Sequence, residues 1–193
     1  LSSLPSEFGN LTNLQVLDLG GNCMSSLPLA IVNLTNLEWL DLSRNCMGTL
    51  PPEFGNLTNL RGLDLSGNNL TSLPPEFDNL INLESLSLGH ILRGSNNLSS
   101  LPPEVGDLVN LRILHLWGNN LTSLPPEFGN LTNLESLHLR DNNLSSLPFE
   151  IVNISNLRSL YLDENPIPCL PGTLLPWYQS IPERSPETFP ECP

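Results

Sequence analysis

Apolar and variable positions alternate through Leu-Arg-Ile-Leu-His-Leu at residues 111–116, the pattern of a strand with one buried face. Leu114 and Leu116 are expected to point into a core and His115 to solvent. Asn119 follows where the chain must turn. The next stretch, Thr122 to Asn133, carries Pro125-Pro126, Glu127, Phe128 and Leu131. It predicts a short helical or 3₁₀ turn. Proline suits the first helical position, and Glu127 lies near the positive end. Phe128 and Leu131 face inward, and Gly129-Asn130 close the turn. Leu134 then starts another copy.

The copies recur at a constant spacing. Leu4-Pro5, Leu27-Pro28, Leu50-Pro51 and Leu73-Pro74 lie 23 residues apart. After a step of 28, Leu101-Pro102, Leu124-Pro125, Leu147-Pro148 and Leu170-Pro171 resume the period. A period in the twenties predicts a solenoid. One copy cannot bury its leucines alone, whereas stacked copies can, with strands pairing in parallel about 4.8 Å apart. The turn asparagine recurs as Asn22, Asn45, Asn68, Asn142 and Asn165. An amide side chain both donates and accepts, so a stacked column of asparagines satisfies turn groups that no sheet ladder reaches. Repeated residues build the rod, and residues that break the repeat carry the information.

The motif L-x-x-L-x-L-x-x-N-x-L followed by L-P-x-E-F/I/V-G-N-L-T-N-L resembles the leucine-rich repeat family. The 23-residue length is similar to the Ras-group-related type of intracellular scaffolds, with comparable arrays in bacterial proteins and multidomain GTPases. The resemblance covers about residues 1–171. It implies an α/β solenoid: a right-handed leucine-rich repeat superhelix with a parallel β-sheet on the concave face and short helical or 3₁₀ turns on the convex face. It is nearly silent on activity, because a shared fold does not name a function.

Two regions are expected: an array over 1–171 of seven to eight repeats, the N-terminal one incomplete, and a proline-rich tail over 172–193. Leu1 falls in the middle of a repeat, which reads as a fragment or a weakly protected end. The tail carries Pro176, Pro182, Pro186, Pro190 and Pro193 and lacks helical or strand rhythm. It is read either as a loose linker or as a partial cap, with Leu174, Leu175, Trp177, Tyr178 and Ile181 folded over the last repeat.

Charge narrows the partner class. Seven basic residues, all arginine, face twenty acidic ones, for a formal net charge of −13. Such a surface repels phosphate backbones, so nucleic acid and anionic membrane are poor partners and a protein with a basic segment fits better. Cys23 and Cys46 occupy equivalent places in adjacent repeats. They read as a pair near disulfide range or as two half-buried thiols in a position usually held by asparagine. A Cys169–Cys192 bridge would staple the tail to the last repeat and point to an oxidising compartment. Nine N-x-S/T sequons begin at Asn10, Asn33, Asn56, Asn69, Asn97, Asn120, Asn130, Asn143 and Asn153. The repeat template itself writes that motif, so the sequons do not indicate secretion.

The repeats disagree where the strands face outward. One column reads Asp18, Asp41, Asp64, Ser87, His115, His138, Tyr161. Two positions earlier it reads Val16, Trp39, Gly62, Ser85, Ile113, Ser136, Ser159. Past the strand come Gly20, Ser43, Ser66, Gly89, Trp117, Arg140, Asp163. The N-terminal half is an acidic ladder with one tryptophan. The C-terminal half joins His115, Trp117, His138, Arg140 and Tyr161, residue types that dominate binding hot spots. These positions are either a partner face or solvated sites free to drift. The three aspartates repel one another and would accept a cation or a basic segment, but one carboxylate per rung closes no oxygen shell. The histidine pair lacks a third metal ligand, and a contact titrating near neutrality suits it better.

The 28-residue step isolates a five-residue insertion, His90-Ile91-Leu92-Arg93-Gly94, between strand and turn. It is expected to bulge from the rim, with Ile91 and Leu92 exposed for a partner or simply tolerated. No nucleophile–base constellation and no phosphate-cradling loop is evident, so no catalysis and no cofactor are expected. The chain reads as a monomeric, non-catalytic protein-binding module, cytoplasmic in a scaffold or signalling protein. The alternatives are a secreted or cell-surface recognition ectodomain or enzyme inhibitor, and the sensor domain of a larger kinase or GTPase.

Overall fold

The computed structural model describes residues 4–193. The expected incomplete repeat at Leu1 begins outside the described residues. Eight short strands form one parallel sheet in sequential order: β1 (Val16–Asp18), β2 (Trp39–Asp41), β3 (Gly62–Asp64), β4 (Ser85–Gly89), β5 (Ile113–Leu116), β6 (Ser136–His138), β7 (Ser159–Tyr161) and β8 (Glu183–Ser185). Each of β1 to β7 presents a leucine inward, and Leu17, Leu40, Leu63, Leu86, Leu114, Leu137 and Leu160 are all buried.

A 3₁₀ turn of five residues follows on the convex side of each repeat, from Ser6–Asn10 to Phe149–Asn153. Its bonds are i→i+3: Phe128 N–H donates to Pro125 O at 3.0 Å and Leu131 N–H to Phe128 O at 3.2 Å. A five-residue segment opened by a proline takes this tighter winding, which is used in short pieces. Phe54, Phe77 and Phe128 are fully buried there, with the first two rings stacked at 6.0 Å.

Two asparagine columns bind the repeats together. In the inner column Asn68 donates to Leu65 O of its own repeat and Leu42 O of the previous one, both at 3.0 Å, and accepts from Met47 N–H at 3.1 Å. After the insertion Asn96 takes the same place, donating to Leu65 O and Leu88 O. The column therefore runs unbroken past the extra residues. An outer column, Asn36, Asn59, Asn82, Asn110, Asn133 and Asn156, donates to the carbonyls of Thr12, Thr35, Thr58, Ile81, Val109 and Thr132.

The tail is a cap rather than an extended linker. Helix α1 (Leu175–Ser180) starts with Pro176 in its first turn, where a missing N–H costs nothing, and buries Tyr178. Pro182 precedes β8, which adds an outermost strand to β7. Leu174, Tyr178 and Ile181 are buried against the last repeat, and Trp177 Nε1–H donates to Ile154 O at 3.3 Å. Cys169 and Cys192 are bridged, with Cα atoms 5.1 Å apart. Cys23 and Cys46 are unpaired and exposed, not half-buried. The Cys46 thiol is pushed up by desolvation and then by its hydrogen bond with the Cys23 thiol.

Candidate functional site

Sheet register aligns the three variable columns side by side. Trp39 pairs with Val16 and Gly62, and His115 with Ser87 and His138. His138 in turn pairs with Tyr161. Asp18, Asp41 and Asp64 form one continuous run.

The insertion changes what this face offers. It does not bulge away but closes on itself and folds back over the strands. His90 and Gly94 exchange backbone hydrogen bonds at 2.9 Å, and Arg93 N–H donates to His90 O. Gly94 lies against Gly67: a Cβ on Gly94 would stand 3.2 Å from the Gly67 Cα, and one on Gly67 only 2.2 Å from the Arg93 carbonyl. Two glycines make that approach possible. Arg93 Nη1 reaches Asp41 at 2.5 Å, Asp64 at 3.1 Å and Ser43 Oγ at 3.0 Å. Arg44 Nη2 donates to Leu92 O.

The acidic ladder is thus occupied by the chain's own guanidinium and is not an open cation site. Burial raises the Asp41 carboxyl, but the hydrogen bonds from Ser43 and then Arg93 outweigh it and hold Asp41 below the usual carboxylate range. Asp18 stays exposed at the end of the row. Ile91 and Leu92 crown the loop, 62% and 75% exposed.

The loop splits the edge of the face into two compartments. On one side lies a cavity of about 590 Å³ beside Asp18, Asp41, Arg44 and Arg93. On the other is a cavity of about 240 Å³ bounded by His90 and Ile91 of the insertion and by Trp117, Arg140 and Tyr161. Its floor is an aromatic stack. The His90 and His115 rings lie 5.8 Å apart, His115 and His138 4.4 Å, and His138 and Tyr161 4.5 Å. Burial pushes His115 down to about 4, helped by the neighbouring His138 and His90. His138 is likewise lowered, mainly by burial. His115 therefore titrates well below the neutral range that the bare residue type suggests. Among the described residues, no three His, Cys, Asp or Glu side chains are placed to hold a metal ion.

The aromatic residues are less free than an exposed hot spot would be. Trp117 is half-buried, and its Nε1 and the Arg140 Nε have no acceptor. Arg140 Nη2 pairs with Glu164 at 2.5 Å. The Tyr161 hydroxyl donates to Glu183 of β8, which also accepts from Ser159 Oγ at 2.9 Å.

On the opposite edge Trp39, 45% exposed, lies flat over Gly62, where a Cβ would sit 2.0 Å from its ring carbons. Trp39, Ser85 and Ile113 line a groove of about 270 Å³. It is flanked by a column absent from the expected site: Glu38, Arg61, Glu84, Arg112, Glu135, Arg158, strictly alternating in sign. Arg61 pairs with Glu84 at 2.7 Å and Arg112 with Glu135 at 2.6 Å. Its signal was available in the same repeat alignment, one position before the Trp39 column. Arg93 and His90 gave no such signal, because an insertion has no equivalent in other repeats.

Charge is segregated. Glu7, Glu53, Glu76, Asp78, Glu104, Glu127 and Glu150 open the convex turns, and none of these turns ends on a basic residue. The arginines stand on or beside the strands. Much of the net −13 therefore belongs to the back of the molecule. The nine sequon asparagines are all exposed. The two hydrogen-bonded columns use other asparagines, but the sequons remain tied to the repeat: their middle residues Leu34, Leu57 and Leu131 are buried, and the Thr12, Thr35, Thr58 and Thr132 carbonyls accept from the outer column.

Family profiles match over most of the array: a leucine-rich repeat region at residues 102–175, a leucine-rich repeat at 4–47, and a two-copy repeat profile at 35–75. The chain belongs to the leucine-rich repeat family. The domains of this family commonly mediate protein–protein interaction and are generally non-catalytic scaffolds. A leucine-rich repeat protein of Leptospira interrogans is 36% identical and superposes with a TM-score of 0.82, covering 98% of this chain. This leucine-rich repeat chain spans about half of that protein, 54%. The leucine-rich repeat ectodomain of the Arabidopsis thaliana membrane receptor kinase GASSHO1/SCHENGEN3, solved with CASPARIAN STRIP INTEGRITY FACTOR 2, is 35% identical. Its TM-score is 0.75, with 88% of this chain and 20% of that one covered. No curated protein matches the sequence. Among the described residues no helix is long and apolar enough to cross a membrane.

Proposed function

We propose that this chain is the recognition module of a secreted or cell-surface protein and captures a protein partner on the strand face, between the insertion and the aromatic stack. The observation that carries the reading is the break in the repeat. Where earlier rungs place Asp or Ser, three successive rungs carry His115, His138 and Tyr161, and the insertion adds His90 to the same row of rings beside Trp117. Tryptophan, tyrosine and arginine around a concave patch are what binding hot spots use. The Cys169–Cys192 bridge favours an oxidising compartment over the cytoplasmic scaffold that the 23-residue repeat suggests. The likeness to a receptor kinase ectodomain supports, as a second reading, the outer part of a larger receptor.

The intact chain, immobilised, is expected to retain a partner from fluid outside the host cell. Substituting Trp117 and Tyr161 together by Ala is expected to abolish retention while the circular dichroism spectrum is unchanged. Glu127→Ala on the convex side serves as the control. Undiminished retention by the double variant would dismiss this face.

A further inference from the structure

We infer that the cavity beneath the insertion is a receptor for one tyrosine side chain of the partner, held by its ring between imidazole and indole and by its phenolic oxygen on Arg140. This rests on the strand face being the partner face, and it specifies what that face reads.

Size comes first. Cofactor and drug-sized sites run from about 300 Å³ upward, and this cavity measures about 240 Å³. It is suited to a single side chain. Wall chemistry comes next. His115, His138, Tyr161 and Trp117 present ring faces and edges, which prefer another aromatic ring in offset or edge contact. Burial depresses the proton affinity of His115 and of His138, which favours the uncharged imidazoles there. The floor therefore neither attracts an anion nor repels a neutral ring.

Arg140 decides what the ring carries. Its guanidinium is half-exposed and engages Glu164 through Nη2 only. It keeps donors for an acceptor on the ligand. Its charge is already balanced by Glu164, with Asp163 and Asp141 nearby. A second carboxylate would meet those three, whereas a neutral phenolic oxygen would not. An aliphatic or phenylalanine side chain would leave the donors unmatched.

The insertion preorganises the site. Arg93 ties the loop to Asp41 and Asp64, and the stacked His90 holds it against His115. The wall at Ile91 is therefore in place before any partner arrives, which lowers the ordering cost of binding.

The test uses the full chain and three probes of one shape: p-cresol, toluene and 4-methylbenzoate. Indole N–H resonances report position, because Trp39 and Trp177 lie outside the cavity and serve as internal references. p-Cresol is expected to move the Trp117 and His115 signals with a Kd on the order of 1 mM, and to bind several-fold tighter than toluene. Arg140→Met is expected to erase that difference. Deleting residues 90–94, which the other repeats do without, is expected to weaken p-cresol about tenfold with the fold intact. Equal binding of toluene, tighter binding of 4-methylbenzoate, or an unaffected deletion variant would each overturn the assignment. If p-cresol fails while Trp117 and Tyr161 remain necessary for partner capture, the tyrosine receptor is refuted and the face stands. If p-cresol binds but capture ignores those residues, the partner's tyrosine is refuted along with the face.

Discussion

His115 shows how burial overrides residue type. An unfolded histidine takes its proton near 6.5, and folded His115 does so only near 4. The unfolded chain thus binds more protons between those values. Stability is full above about pH 6.5 and falls as pH drops toward 4. Urea midpoints at pH 7 and 4.5 are expected to show a smaller acid loss for His115→Gln than for the unsubstituted chain. Equal losses would mean that the imidazole is not buried as described. The outward column containing His115 was readable from spacing, and so was its pairing with His138. Its neutrality was not, because desolvation depends on His90 arriving from an insertion. Trp39 is a parallel case: its exposure was legible, but its flat pose depends on Gly62 one rung away leaving space for the ring.

At the scale of the element, the inner asparagine column does what period and chemistry predict. Asn119 is buried and joins Leu88, Leu98 and Leu116 through both ends of its amide. Asn119→Ala leaves those backbone groups unmatched in the interior and is expected to cost about 1–3 kcal/mol per unsatisfied group, less where water enters. Asn120→Ala, one residue on and exposed, is expected to change stability by under about 0.5 kcal/mol. Urea unfolding of the pair checks this, and equal midpoints would disprove the column's role. The insertion is the element that sequence could locate but not place. Its boundaries followed from the 28-residue step. Its fold-back required Arg93 to find Asp41 and Asp64, contacts 52 and 29 residues distant in the chain.

Across the whole molecule, each repeat touches its neighbours, so the ends carry disproportionate weight. The C-terminal end is closed by α1, β8 and the Cys169–Cys192 bridge across 23 residues. Opening a loop of that length restores unfolded-state entropy worth about 3 kcal/mol. Cys192→Ser is expected to lower stability by up to that amount and to speed hydrogen exchange at the Leu170 and Ile181 amides. Unchanged exchange there would mean the cap holds without its staple. The tail's prolines conceal this cap from pattern reading, because its helix and strand are too short to show a rhythm.

What the sequence determined by itself was the repeating frame: strand direction, inward leucines, the inner asparagine column and the parallel sheet. Each copy supplies its own pattern, and identical patterns can bury their apolar faces only by stacking. Tertiary structure alone decided what does not repeat. Arg93 silenced the acidic ladder, the loop walled off an aromatic cavity, and the tail turned back as an eighth strand. Those outcomes depend on single side chains meeting partners from other rungs, and no periodicity encodes a contact that happens once.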